Sequence, residues 1–467
     1  MQSNSPSAIA ALQARLGPAA VLIGDDVPER NTNDWSPQPP VRPLAVVRPA
    51  DVAGVAATMQ ICHEFGVPVV PQGGLTGLCG GGRPMPQSIA LSLERLVGVE
   101  EIDPAAGTMT VLAGTPLEVV QRAADEAGFF FPLDLGARGS CAIGGNLSTN
   151  AGGNRVIRYG MARDMTLGLE VVLPDGTVVT SLNKMLKNNA GYDLKHLFIG
   201  SEGTLGIITR AVLRMQAKPA CTMVAMCALH DYAGVLALLA AARRDLGPLL
   251  SAFEVMWPDY WDVATQQVSG VRNPFDGDVA VYGAYVLIEA LGTDPAIDVP
   301  RFEAWLEGQL DAGHVPNAVI AQSLSDAAAL WGVRDACSEF IQAIGPHLPF
   351  DIGLPTASMD EYARRCREQL TARVPGCCSM YYGHIGDGNL HLIVYLPGAA
   401  EQPKQEIEEV VYGLVREFRG SVSAEHGIGT LKKPWLGHAR SPEEIALMRT
   451  LKNALDPKGV LNPGKVV

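Results

Sequence analysis

Pro71-Gln-Gly-Gly-Leu-Thr-Gly-Leu-Cys-Gly-Gly-Gly82 decides how the first half of this 467-residue chain is read. It directly follows Val67–Val70, an apolar run with strand character. Before that come Asp51–Phe65, a capped helix with Val52, Val55, Met59 and Cys62 at helical spacing, and a strand at Leu44–Pro49. Strand, helix, strand and glycine-rich turn is how a small α/β unit offers backbone N–H groups to a phosphate. The spacing Gly73-Gly74-x-x-Gly77 is not the dinucleotide fingerprint G-x-G-x-x-G, and Pro84 and Pro86 interrupt any helix after it. No Gly-Lys-Ser/Thr closes the loop either. Taken alone, the loop reads equally as a surface turn.

Two further blocks resolve this in favour of a ligand cradle. After a helix at Pro116–Ala127 comes Pro132-Leu-Asp-Leu-Gly-Ala-Arg-Gly-Ser-Cys-Ala-Ile-Gly-Gly-Asn-Leu-Ser-Thr-Asn-Ala-Gly-Gly153. A strand at Thr166–Leu173 and the turn Pro174-Asp-Gly176 lead to Phe198-Ile-Gly-Ser-Glu-Gly-Thr-Leu-Gly-Ile-Ile-Thr209. Small residues let backbone approach a large ligand closely. Linkers are polar and strand-free, whereas these loops alternate with apolar strands.

The length predicts two or three packed units. No apolar run approaches the roughly 20 residues of a membrane span. Met1–Leu22 lacks the basic start, apolar core and cleavage site of a secretory signal, so the expected compartment is the cytoplasm. A net charge of −13 argues against nucleic acid or an anionic membrane as partner. The nine cysteines are scattered without a Cys-x-x-Cys, which points to a reduced protein with neither disulfide frame nor thiolate metal site.

From about Pro219 the texture becomes α+β. Strands are expected at Thr222–Leu229, Val279–Glu289 and Val319–Ala321. Helices are expected at Tyr232–Arg244, Arg301–Leu310, Asp326–Ala343, Asp360–Arg373, Gln405–Phe418 and Ser441–Leu455. This half contains Tyr-Tyr-Gly-His384-Ile-Gly-Asp-Gly-Asn-Leu-His391, a hairpin turn between strand-like runs at Ser379–His384 and Leu390–Leu396. If Ile385 and Leu390 close its loop, the two histidines are directly opposed, with Cβ atoms roughly 5 Å apart. That spacing suits one metal ion, and equally a hairpin with a histidine on each arm. Ser421-Val-Ser-Ala-Glu425-His426-Gly-Ile-Gly429 offers a third ligand, which leaves an open metal position, or a solvated polar pair before a glycine turn. Arg334 and Ser338, spaced i, i+4, share a helix face suited to a carboxylate; an ion pair of Arg334 with Asp335 or Glu339 competes with that reading.

The three glycine blocks resemble the flavin-binding domain of the vanillyl-alcohol oxidase superfamily, the PCMH fold. Gly-His-x-Gly-Asp-Gly-Asn-x-His, Ser-Ala-Glu-His-Gly-Ile-Gly and Leu455-Asp-Pro-x-Gly-x-Leu-Asn-Pro-Gly-Lys465 resemble its D-2-hydroxyacid dehydrogenase branch, near the D-2-hydroxyglutarate and D-lactate dehydrogenases. The likeness runs from about Asn33 to the C-terminus. It implies an α+β architecture with a helical N-terminal segment (1–38) and an FAD domain of two α/β subdomains (39–218). A substrate cap with an antiparallel sheet (219–430) and a C-terminal helical segment packing back on the FAD domain (431–467) complete it.

The resemblance also implies non-covalent FAD, since Leu75 and Thr76 stand where covalent members often carry histidine. The implied FAD residues are Gln72, Gly73, Gly74, Leu75, Thr76, Gly77 and Leu78 in the first block, and Leu133, Gly136, Ser140, Gly144, Gly145, Asn146, Thr149, Asn150, Gly152, Gly153 and Tyr159 in and after the second. Glu202, Gly203, Ile207, Ile208 and Asn462 complete the set. His384, His391 and Glu425 become ligands of a divalent metal, zinc first, though manganese, cobalt and iron fit the donors too. His426 becomes the base, and His426, Arg334, Ser338 and Ile393 the substrate contacts.

The implied reaction is oxidation of a D-2-hydroxy acid to the 2-oxo acid. Metal and His426 ionise the hydroxyl while hydride passes to flavin N5. An electron-transfer flavoprotein or a quinone is the expected acceptor, and a homodimer is compatible with the chain. A sugar-acid or lactone oxidase on the same flavin fold is the alternative; a metal-dependent hydrolase explains the ligands but not the cradles. Two positions depart from the hydroxyglutarate pattern. Pro349 replaces a lysine, and Ile393 replaces an asparagine two residues past the second histidine. Fewer partners for a second carboxylate shift the expected preference towards smaller or more apolar acids.

Overall fold

A computed structural model describes residues 5–275 and 281–467; Val279 and Ala280, expected to open a strand, lie outside the described residues. The chain divides into two units. The first comprises Met1–Gly153, Gly160–Lys218 and Glu425–Val467, and the second Asn154–Tyr159 and Pro219–Ala424.

The first unit carries two main sheets. β1 (Val21–Ile23), β2 (Ala45–Val47), β3 (Val69–Gln72) and β4 (Ile89–Ser92) lie in the order β1-β2-β4-β3, with β2 and β3 parallel to β4. The helix Val52–Phe65 makes the crossover. The Asp51 carboxylate accepts the Gly54 N–H at its start, and Gly66, in the left-handed region, ends it. Val55, Met59 and Cys62 are fully buried, as their spacing predicts. β5 (Val99–Asp103), β6 (Thr108–Leu112), β8 (Thr166–Val172), β9 (Val178–Ser181) and β10 (Ile207–Arg214) form an antiparallel sheet in the order β5-β6-β10-β8-β9, and β7 (Phe129–Phe130) pairs with β11 (Gln216–Ala217).

Among the described residues, the second unit is built on seven antiparallel strands: β12 (Cys221–Leu229), β13 (Leu250–Met256), β14 (Ala284–Gly292), β15 (Asn317–Ile320), β16 (Leu348–Gly353), β17 (Cys378–His384) and β18 (Asn389–Tyr395). Their order is β15-β12-β14-β13-β17-β18-β16. On one face Val224, Met226, Met256, Leu287, Met380, Tyr382 and Ile393 join Tyr260, Trp261 and Phe340 in an apolar cluster. Residues two apart share a face, so the register puts Glu289, Glu254, His384, His391 and Asp351 on that same face, one from each of five neighbouring strands.

Three local expectations change. The helix expected over Asp326–Ala343 ends at Asp335, turns through a 3-10 segment at Ala336–Glu339 and resumes at Phe340–Ile344. The break lets Ala336 and Phe340 both reach the apolar cluster. The helix expected from Arg301 begins at Pro295, because the Asp294 side chain caps an earlier start and Pro300 is accommodated inside it. The strand expected to run through Glu289 begins at Ala284 among the described residues and continues to Gly292.

Asn154–Tyr159, immediately after the second glycine block in sequence, belongs to the second unit. Arg155 pairs bidentately with buried Glu289 at 2.9 and 3.2 Å, and Arg158 donates to the carbonyls of Leu249 and Leu291. Nothing in the spacing of this stretch announces that, since both partners lie far along the chain.

The C-terminal segment closes the first unit. The Val69 N–H donates to the Val460 carbonyl and the Asn462 N–H to the Val69 carbonyl, each at 2.7 Å. Lys465 donates to the carbonyls of Gly81 and Arg83, both at 2.7 Å, tying down the end of the first glycine loop. Lys465 is 3% exposed. Burial lowers its pKa to about 7, with Asp34 and Glu202 opposing the fall only in part.

Two outcomes test this packing. Phe340→Ala removes a fully buried ring and should lower the unfolding free energy by about 3–5 kcal/mol in denaturant melts. The folded Lys465 releases its proton near pH 7 while the unfolded chain holds it to 10.5, so the folded state binds fewer protons in that window and its stability rises with pH. Wild type should therefore gain stability relative to Lys465→Met as pH rises across the window, and a constant difference between the two melts refutes the assignment.

Candidate active site

In the first unit, the glycine blocks meet at van der Waals distance. A Cβ on Gly74 would lie 2.1 Å from the Ser140 carbonyl, and one on Gly73 would lie 3.4 Å from Ala142. The two loops therefore require glycine because they abut. Gln72 braces them: its amide donates to the carbonyls of Asn31 and Gly82 and accepts from Asn31, so its polar atoms hold the loop. Leu75, in the left-handed region at φ 61°, turns the chain into Thr76, Gly77 and Leu78.

In the second block Gly144 packs on Ala113, Asn146 is buried, and the Thr149 hydroxyl bonds back to Gly145. Asn150 accepts from the Arg163 N–H. Leu133 is buried and Ser140 exposed, while beside Gly136 and Gly145 an added Cβ would meet nothing within 4 Å. Tyr159 sits with the second unit, its ring 4.8 Å from the Arg158 guanidinium carbon.

The third block turns out to be a brace as well. The Glu202 carboxylate accepts the N–H groups of Ile428 and Gly429 at 2.6 and 2.8 Å, holding the turn that follows His426. Burial raises its pKa, which those two N–H groups offset in part. Gly427, at φ 82°, leaves no room for a Cβ, which would meet the Glu202 carboxyl carbon at 2.8 Å. Gly203 packs on Pro71, and Ile207 and Ile208 are buried at the start of β10.

Asn462 donates to the carbonyls of Glu202 and Gly81, while its buried Oδ1 has no partner. An orphaned buried acceptor beside abutting small-residue loops, with open space at Gly145, is what a bound polar cofactor would complete. The residues expected to hold FAD therefore fit such a group.

In the second unit, the hairpin is two residues out of the expected register. Tyr382 pairs with His391, so the two histidines are diagonal rather than directly opposed. Pairing stops at Tyr382 because the chain turns over Ile385–Gly388 and Gly383 packs tightly, a Cβ there lying 2.5 Å from the Asn389 carbonyl. Diagonal neighbours still meet through long side chains. The two rings are 5.1 Å apart at 82°. Glu425 follows Ala424, where the chain leaves this unit, and its Oε1 accepts the Gly153 N–H at 2.8 Å. His384 and His391 thus bring two imidazoles to one sheet face, the kind of donor that holds a divalent ion at roughly 2.0–2.1 Å. The pair fits a divalent metal.

Arg334 is buried, but its main partner is neither Asp335 nor Glu339. Nε donates to Glu254 Oε2 at 2.8 Å, with Asp335 a secondary contact at 3.2 Å. Nη2 lies 3.1 Å from His384 Nε2. The expectation that Ser338 shares its face fails with the helix break: Ser338 is exposed and donates to the Asp335 carbonyl. Ile393 shares the face of His391, is 2% exposed and belongs to the apolar cluster.

Glu254 was not singled out by sequence reasoning. Its signal was there: one carboxylate inside the apolar run Leu250–Met256, every residue of which is buried. Burial works against its ionisation, but the His384 imidazole and the Arg334 guanidinium hold the carboxyl down to about 2.

Residues 43–181 match an FAD binding domain, and residues 218–466 match the C-terminal domain of FAD linked oxidases. A probable mitochondrial D-2-hydroxyglutarate dehydrogenase of Oryza sativa subsp. indica is 40% identical over 97% of this chain and 80% of its own length. D-2-hydroxyglutarate dehydrogenase of Xanthomonas citri pv. viticola is 38% identical over 98% of this chain and 95% of its own. The structure of p-cresol methylhydroxylase shares the fold, with a TM-score of 0.77 at 17% identity, covering 100% of this chain and 97% of that one. The glycine-rich loops thus have an explanation: the chain is an FAD-dependent oxidoreductase and belongs to the FAD-linked oxidase family that contains the D-2-hydroxyglutarate dehydrogenases.

Proposed function

We propose that the protein oxidises a D-2-hydroxy acid to the corresponding 2-oxo acid. One observation carries the reading: a buried guanidinium lies 3.1 Å from the outer nitrogen of His384, one of two histidines that share a sheet face. A 2-hydroxy acid carries its carboxylate and hydroxyl on neighbouring carbons, so it needs a cation and a hydroxyl-polarising group side by side. Bound FAD supplies the two-electron acceptor, and a bound divalent ion, zinc by preference, supplies the Lewis acidity that makes a coordinated hydroxyl a stronger acid. Arg334 holds the substrate carboxylate. His384, His391 and Glu425 hold the metal. His426, next to Glu425 and fixed by the Glu202-braced turn, takes the hydroxyl proton on an imidazole nitrogen. The electrons pass on to an electron-transfer flavoprotein or a quinone.

The relatives are named for a five-carbon diacid, but this chain favours a smaller acid. Pro349 and Ile393 are directly paired across β16 and β18, so two positions able to serve a second carboxylate form one apolar pair on the face of His391. A carboxylate placed there would be left without a partner.

Anaerobic mixing of the FAD-loaded protein with D-lactate, D-2-hydroxybutyrate, D-malate and D-2-hydroxyglutarate should bleach the flavin, with higher kcat/KM for the smaller acids. A much higher value for D-2-hydroxyglutarate refutes the preference, and no bleaching with any of them refutes the reading. His426→Ala should slow flavin reduction about 10²–10⁴-fold while keeping FAD bound; reduction at the parental rate removes His426 from its role.

A further inference from the structure

Glu254 is 1% exposed, inside a strand whose one other polar residue is Ser251. It faces His384 directly in the β13–β17 register. Its Oε1 lies 2.7 Å from His384 Nδ1, and its Oε2 accepts Arg334 Nε–H at 2.8 Å. An ionised carboxylate only accepts, so His384 must carry its proton on Nδ1, which leaves Nε2 with a lone pair. Only Nε2 is then available to a metal. The same carboxylate turns the Nη2 edge of Arg334 towards the His384 ring, 3.4 Å from Nδ1 and 3.1 Å from Nε2. A guanidinium this close to a metal-binding nitrogen repels a divalent ion, and the Glu254 carboxylate, bonded to both side chains, offsets that charge.

We propose that Glu254 is the positioning residue of the site. One buried carboxylate fixes the tautomer of His384 for metal binding and, through its other oxygen, neutralises and aims Arg334 for the substrate carboxylate. The assignment rests on the 2-hydroxy-acid reading for what Arg334 binds, but its effect on the metal is independent of that reading. Ligand-bearing histidines are oriented in this way by outer carboxylates, whose loss weakens metal binding 10–100-fold. Here the same carboxylate also holds the substrate cation, so metal affinity and substrate KM should move together.

The test uses the full-length, FAD-loaded protein, stripped of metal with a chelator and titrated with zinc ion by calorimetry. Glutamine at position 254 has one acceptor oxygen in place of two and cannot serve His384 and Arg334 together. Glu254→Gln should bind zinc 10–100-fold more weakly, and its KM for the best acid of the panel should rise at least about tenfold with a smaller fall in kcat. FAD content should be unchanged. Glu254→Asp, which keeps the charge one methylene short, should move both values the same way by a smaller factor, and it carries the test if the glutamine variant does not fold. Wild-type zinc affinity and KM in the variants, against a parent that binds zinc, overturn the assignment alone. A parent that neither takes up zinc nor oxidises any of the acids overturns the reading beneath it as well.

Discussion

A charge inside a sheet survives only where a countercharge or hydrogen-bond donors meet it, and that constraint shapes the second unit. Its seven strands bury nearly everything they carry, yet one face holds Glu289, Glu254, His384, His391 and Asp351 in a row across five strands. Each acid is answered. Arg155 and the Ser251 hydroxyl bind Glu289, and Arg334 and His384 bind Glu254. Asn389 and Ser423 donate to Asp351. Removing one partner of such a pair leaves an uncompensated buried charge, which is far more damaging than the pair is stabilising. The row is therefore better understood as a chemical device kept in an apolar sheet than as a source of stability, and the surrounding cluster of Tyr260, Trp261 and Phe340 supplies the burial that holds it still.

The first unit solves a different problem with the same economy of means. Its loops approach until glycine is the only residue that fits, and the contacts are then locked by side-chain amides and carboxylates rather than by apolar packing. Gln72, Glu202, Asn462 and Lys465 each reach backbone groups of a loop distant in sequence. Several positions expected to touch the cofactor are thus the fasteners of the loops around it. The orphaned Asn462 Oδ1 and the open space beside Gly145 are where the cradle still has something to offer a ligand.

Much of this was legible in the order of residues. Period and capping placed the helix after Asp51, and the alternation of apolar runs with glycine blocks marked the cradle. His384 and His391 do share one sheet face, as the hairpin reading required. What failed was what depends on long-range partners. The hairpin register shifted because Gly383 packs against the strand beyond the turn, a distance no local pattern encodes. Ser338 left the Arg334 face because the apolar cluster broke the helix to admit Phe340. Glu254 went unremarked because a lone acid in an apolar run means little until its partners, scores of residues away, are known.

The C-terminal return of the first unit bears on how the protein is made. Val69 and Leu461 come from opposite ends of the chain, yet the Val69 backbone bonds on both sides of Leu461, to Val460 and Asn462. A ribosome therefore releases the first glycine loop long before the residues that fasten it exist. Until residues 460–465 are made, that edge of β3 is unpaired and Gly81 lacks both its amide and its lysine partner. Strand edges exposed for that long invite the wrong neighbour, so this stretch needs shielding while the rest of the chain is made.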